Sequence, residues 1–73
     1  MNERITIDPM ICHGKPVIRG TRIPISRIVN ALAGGMTRDE IIQEYEVAPA
    51  DIDAALFYAA DLIDHEQVYA LAS

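Results

Sequence analysis

Three hydrophobic rhythms run along these 73 residues. Around Arg4 to Asp8 apolar Ile5 and Ile7 alternate with polar neighbours, and a period of two predicts a short strand that ends at Asp8-Pro9. Residues 10–16 have no period and read as a loop. Val17 and Ile18, then Ile23, flank the string Arg19-Gly20-Thr21-Arg22. That pattern predicts a β-hairpin with a two-residue turn at Gly20-Thr21, where Gly20 supplies the positive φ of a type II′ turn. In this register Ile18 faces Ile23 and Arg19 faces Arg22. The isoleucines then take the core face, and the arginines share the outer face with Val17 and Pro24.

From Pro24 the rhythm turns helical. "SRIVNALAGG" sets Ile28, Val29 and Leu32 on one stripe, with Ile25 or Ser26 near its start, and Gly34-Gly35 stops it with one glycine as the left-handed cap. "TRDE" is a capping box, with Thr37 as N-cap and Glu40 at the third helical position. The second helix is expected at about 38–45, with Ile41, Ile42 and Tyr45 inward and Asp39, Glu40, Gln43 and Glu44 outward. Pro49 suits the first position of a third helix, although Ala48 before it has no side-chain oxygen to cap with. Along that helix Ile52, Ala55, Leu56, Ala59, Leu62 and Ile63 form one stripe. Phe57, Tyr58 and Ala60 widen it beyond what a small monomer buries, which marks Leu56, Phe57, Ala60 and Ile63 as an interface with a second copy or a partner. Residues 64–73 read as a helical extension or a frayed tail.

The elements add up to a mainly α chain: a three-helix, helix-turn-helix-type unit preceded by a short strand and a β-hairpin. A single domain over 1–73 is expected, with a β segment at 1–24 and a three-helix core at 25–63. At this length one core barely outweighs chain entropy, so help from a second copy is expected. Cys12 is the only cysteine. An internal disulfide is therefore impossible, and a cytoplasmic, reducing home is the default. The longest uninterrupted apolar stretch, residues 54–60, is far short of a membrane span, and no basic-then-apolar leader opens the chain.

The net charge of −5 conceals a sharp division. Residues 1–38 hold all six basic residues against Glu3 and Asp8, a net of +4, whereas residues 39–73 hold nine acidic residues and no Lys or Arg, a net of −9. Such asymmetry bears on partners and association rather than on fold. Two facing arginines on a sheet cost only about a few tenths of a kcal/mol, and that cost vanishes if an anion or a carboxylate sits between them. Arg19 and Arg22 then form an acid-binding fork. Two other readings stand beside it: the arginines lie over the acidic half of the same chain or a second copy, or they are simply solvated.

Catalytic chemistry finds little to use. The carboxylates lie on helix faces rather than in a recognisable pair. Cys12 and His13, with only His65 elsewhere, lack the ligands of a zinc site. "GKP" lacks both the preceding glycine and the following Ser or Thr of a phosphate loop. We expect no enzyme, no cofactor and no metal. For nucleic acid, a third helix entering the major groove would present Ala50, Asp51, Asp53 and Ala54, which suit neither phosphates nor base edges. Any DNA contact is better placed on Lys15, Arg19, Arg22 and Arg27.

Three strings, "GKPVIRGTRIP", "AGGMTRDEII" and "DIDAALFYAA", resemble the bacterial family known as domain of unknown function 433. The resemblance spans residues 4–60. It implies a homeodomain-like three-helix unit with an N-terminal β segment, and a role as antitoxin partner of PIN-like ribonucleases. Only the motif positions Gly14, Lys15, Pro16, Arg19, Gly20, Thr21 and Arg22 carry over. Ala48 departs from the Ser/Thr-type cap that family members often place there. PIN-like nucleases hold divalent metal with clustered carboxylates, which the hairpin arginines are suited to meet. Equally, the acidic half is suited to imitate RNA over the nuclease's basic groove. The leading expectation is thus a small homodimeric antitoxin-like protein that neutralises a PIN-like ribonuclease. The rivals are a DNA-binding regulator or autorepressor, and a structural self-association module.

Overall fold

The structure, a computed structural model, describes the backbone of residues 3–72 and the side chains of residues 3–65. Two short strands, β1 (Ile5–Thr6) and β2 (Val17–Ile18), pair antiparallel with Ile5 opposite Ile18 and Thr6 opposite Val17. A bridge between Val17 and Pro24 continues the layer on the other side of β2. Three helices follow: α1 (Ile25–Ala33), α2 (Arg38–Tyr45) and α3 (Pro49–Ala72). This is the mainly helical architecture read from the pattern, with the β segment ahead of the bundle.

The helix ends lie where their punctuation puts them. Beyond α1 the amide of Gly35 donates to Leu32 O and that of Met36 to Ala31 O. These are the paired bonds of a Schellman cap, and Gly35 takes the required left-handed conformation at φ 100. The α2 capping box closes in both directions: Glu40 N–H donates to Thr37 Oγ1 at 3.1 Å, and Thr37 N–H donates to Glu40 Oε1 at 2.8 Å.

The core is aliphatic: Ile5 and Ile18 from the sheet, Ile25 and Ile28 from α1, Ile41 from α2, Val47 from the α2–α3 turn, and Ile52, Ala54 and Ala55 from α3. Ile23, Val29, Leu32, Ile42, Tyr45 and Tyr58 pack around its margin. The strand pattern is less regular than expected, because β1 ends at Thr6 and Ile7 is exposed. Val17, expected on an outer face, is buried at 1% exposure. It shares a depression with Ile11 of the preceding loop, so apolar surface meets it on that side as well.

The hairpin departs from expectation in its turn. Ile18 N–H does donate to Ile23 O at 3.0 Å, as the register requires. The tight turn, however, spans residues 18–21, with Thr21 N–H donating to Ile18 O at 3.0 Å. Gly20, at φ 80, therefore occupies the third position, as a type II turn demands. The cause is Thr21. Its hydroxyl donates to Ile18 O at 2.7 Å and accepts from Ile23 N–H at 3.0 Å, replacing a ladder bond with two of its own. Arg19 and Arg22 thus sit in a four-residue loop and do not close the hairpin as a pair.

Candidate functional site

The loop before β2 shapes the neighbourhood of the hairpin. Cys12, His13 and Gly14 all adopt positive φ, at 50, 58 and 82. This left-handed turn brings the Cys12 thiol to donate to Arg22 O at 3.3 Å. The backbone of Arg22 is tethered while its side chain stays exposed. Ile25 N–H donates to Pro16 O at 2.9 Å, which joins the stretch after Gly14-Lys15 to the start of α1.

The two hairpin arginines part company. Arg19 N–H donates to Arg4 O at 2.7 Å, and its Nε donates to the carbonyl of Glu3. Its side chain lines a cleft with Glu3, Arg4 and Asp51. Arg22 lines a separate depression with Thr6, Ile11, Val17, Gly20 and Thr21. The fork between Arg19 and Arg22 is replaced by two separate corners, of which the one that holds Arg19 is shared with acidic Glu3 and Asp51.

The charge division is partly resolved within the chain. Arg4 Nη1 stands 3.1 Å from Asp51 Oδ1, and Arg38 Nη1 stands 3.0 Å from Asp53 Oδ1. Both pairs join the basic half to the acidic half, which is the internal complementarity weighed from the sequence. Lys15, Arg19, Arg22 and Arg27 remain exposed, and none makes an ion pair among the described residues. Two titratable side chains, one carboxyl and one imidazole, are shifted by their neighbours. The Thr37 backbone amide, then its hydroxyl, holds the Glu40 carboxyl below the ordinary glutamate value. Near the far end of α3 the Asp61 carbonyl, then the Asp61 carboxylate, raises His65.

Asp51 is the functional-looking residue that sequence reading missed. Beyond its ion pair, its Oδ2 accepts from Ala48 N–H at 2.8 Å. The third helical residue thereby reaches back to the cap position and starts α3 without a capping side chain at Ala48. The signal was present as "APAD", an acid three residues after the cap. This also corrects the expected groove-facing surface, since Asp51 and Ala54 are buried and Asp53 is engaged by Arg38.

On α3 the apolar stripe splits. Ile52 and Ala55 are buried, whereas Leu56, Phe57 and Ile63 are 41%, 77% and 64% exposed, and Ala60 is exposed beside them. Leu62, expected on the inward stripe, is also exposed and lines an apolar groove with Val29 and Tyr58. Among the described residues no group of three or more His, Cys, Asp or Glu side chains is placed to hold a metal ion. No helix among them is long and apolar enough to cross a membrane.

Among solved structures, this fold is similar to the crystal structure of a DUF433 member protein from Anabaena variabilis. The two share 33% identity with a TM-score of 0.74, over 86% of this chain and 66% of that one. No curated protein matches the chain. Residues 5–59, from β1 through most of the buried length of α3, match the model of the family described as Protein of unknown function (DUF433), and the chain belongs to that family.

Proposed function

We propose that this chain is an antitoxin-like binding protein that neutralises a PIN-like ribonuclease by direct protein–protein contact. The observation that carries the reading is the set of exposed cations Lys15, Arg19, Arg22 and Arg27, left without ion pairs among the described residues while Arg4 and Arg38 are consumed internally. Exposed charge of one sign, carried here on the loops around β2 and on the first turn of α1, steers and orients an oppositely charged partner. The metal-holding carboxylates of a PIN-like nuclease are such a partner. The exposed Leu56, Phe57, Ala60 and Ile63 support a second part of the reading, association of two copies through α3. The protein acts in this account by binding, without catalysis or cofactor, in the cytoplasm.

The test is inhibition of RNA cleavage by the purified nuclease. Stoichiometric addition of this chain should silence it, and Arg19→Glu combined with Arg22→Glu should restore cleavage. Inhibition that survives both reversals would remove the hairpin from the mechanism.

A second reading, a DNA-binding autorepressor, draws on the α2–turn–α3 arrangement and on the same cations. It requires retardation of the chain's own promoter DNA that weakens steeply with salt. The engagement of Asp51 and Asp53 within the protein removes two phosphate-repelling charges but supplies no base-reading side chain in their place.

A further inference from the structure

The far half of α3 carries two rows of side chains that the rest of the fold leaves open. Leu56, Ala59, Ala60 and Ile63 fall at the spacing i, i+3, i+4, i+7 of one helix face. Ala59 is half-buried and the other three are exposed. The row reads alike in both directions, with a large aliphatic residue at each end and two alanines between. Along its flank run Asp53, Phe57 and Asp64, at i, i+4 and i+11, all exposed. The two ends of this flank differ in charge. Asp53 is paired at 3.0 Å with Arg38 of α2, whose guanidinium also donates to Pro49 O and stays about half exposed. Asp64 makes no ion pair among the described residues.

We propose that this face is covered by α3 of a second copy laid antiparallel, about a two-fold axis at Ala59-Ala60, with Leu56 against the second copy's Ile63 and Arg38 meeting the second copy's Asp64. The proposal rests on the association of two copies through α3 and adds its direction, its register and its ion pair. Charge chooses the direction. A parallel pair sets Asp64 beside its own copy on a helix without a cation, whereas the antiparallel pair brings Asp64 to the guanidinium that already neutralises Asp53. Packing chooses it too. The sheet, α1 and α2 pack on the first half of α3, where Ile52, Ala54 and Ala55 are buried. Reversal of the second copy puts the two bodies at opposite ends of the helix pair, each beside the other's open half. The alanines at the axis let the helices approach closely, and Phe57 lies across Ala60 of the facing helix. Both members of the ion pair and both ends of the apolar row come from this one chain, so a second copy supplies everything the face lacks.

The experiment is disulfide trapping in the full chain, with Cys12→Ser as background, read beside the mass in light scattering. Ala60→Cys should crosslink to itself under mild oxidation. Leu56→Cys alone and Ile63→Cys alone should not, because seven residues hold each about 10 Å from its own copy along the axis. An equal mixture of those two chains should crosslink. Asp64→Arg should raise the dimer dissociation constant about two- to fivefold, and Arg38→Glu added to it should restore most of the affinity. Crosslinks in Leu56→Cys alone or Ile63→Cys alone, with none in the mixture, overturn the proposal in favour of a parallel pair. A double variant that dimerises no better than Asp64→Arg overturns the ion pair. Either result in a protein of dimer mass leaves association through α3 standing, whereas a monomer mass at millimolar concentration retires that association and the proposal together.

Discussion

Arg4 and Asp51, 47 residues apart in sequence, meet at 3.1 Å and tie the amino-terminal strand to the first turn of α3. Asp51 serves two ends at once, since its second oxygen accepts the Ala48 amide at 2.8 Å. The carboxylate is largely buried and the arginine about half exposed. Replacing Asp51 by Ala removes both interactions and should cost about 1.5–3 kcal/mol, whereas Arg4→Ala should cost about 1 kcal/mol or less because it leaves the helix start intact. Urea unfolding of the two variants checks this. Equal losses would mean that the cap adds nothing to the ion pair.

The Thr6 hydroxyl oxygen is buried without a hydrogen-bond partner among the described residues, and it makes a prediction of unusual sign. A buried hydroxyl without a partner costs about 1–3 kcal/mol relative to a satisfied one, so Thr6→Val should stabilise the free protein rather than weaken it. Thermal unfolding decides the matter. A lowered melting temperature would show that the hydroxyl is satisfied in solution.

Two groups give opposite pH dependences. Glu40 has its folded pKa lowered by the Thr37 amide. Its contribution is present above the unfolded glutamate value and is lost as pH falls through the lowered folded value. His65 has its folded pKa raised, first by the Asp61 carbonyl. Its contribution is complete below the unfolded histidine value and is lost as pH rises through the raised folded one. Glu40→Gln should therefore flatten the acid limb of the stability curve. His65→Gln should remove a loss of amide protection in α3 that sets in as pH rises past the ordinary histidine value. Unchanged profiles in both variants would contradict these assignments.

Much of this fold was legible because its boundaries are written in local chemistry. Thr37 with Glu40, Gly34-Gly35 and Pro49 each fix a helix end through bonds within a few residues. The hairpin turn was misplaced by one residue because a threonine hydroxyl can replace ladder bonds, and alternation carries no record of that choice. The α3 stripe was misjudged for a different reason. Periodicity identifies a face but not how far other elements extend to cover it. At 1.5 Å per residue the 24 residues of α3 span about 36 Å, against about 13 Å for the nine of α1. Leu62 and Ile63 lie beyond that cover. Of the candidate site, the four exposed cations were readable from charge alone; the parting of Arg19 from Arg22 depends on contacts with Glu3 and Cys12 that only the folded chain brings together.

Phe57 tests the uncovered face. Because it is 77% exposed, Phe57→Ser should change the unfolding free energy by no more than about 0.5 kcal/mol. The same substitution should convert a dimer to a monomer in light scattering over a range of concentrations. A mass that is the same in both proteins would detach this face from self-association.

The most direct test of the account is to co-express the tagged chain with the protein encoded beside it and to weigh the purified product by native mass spectrometry. The account predicts a stoichiometric complex whose partner cleaves RNA only after release, and which Arg22→Glu dissociates. The chain emerging without a partner, or a complex indifferent to Arg22→Glu, would contradict it.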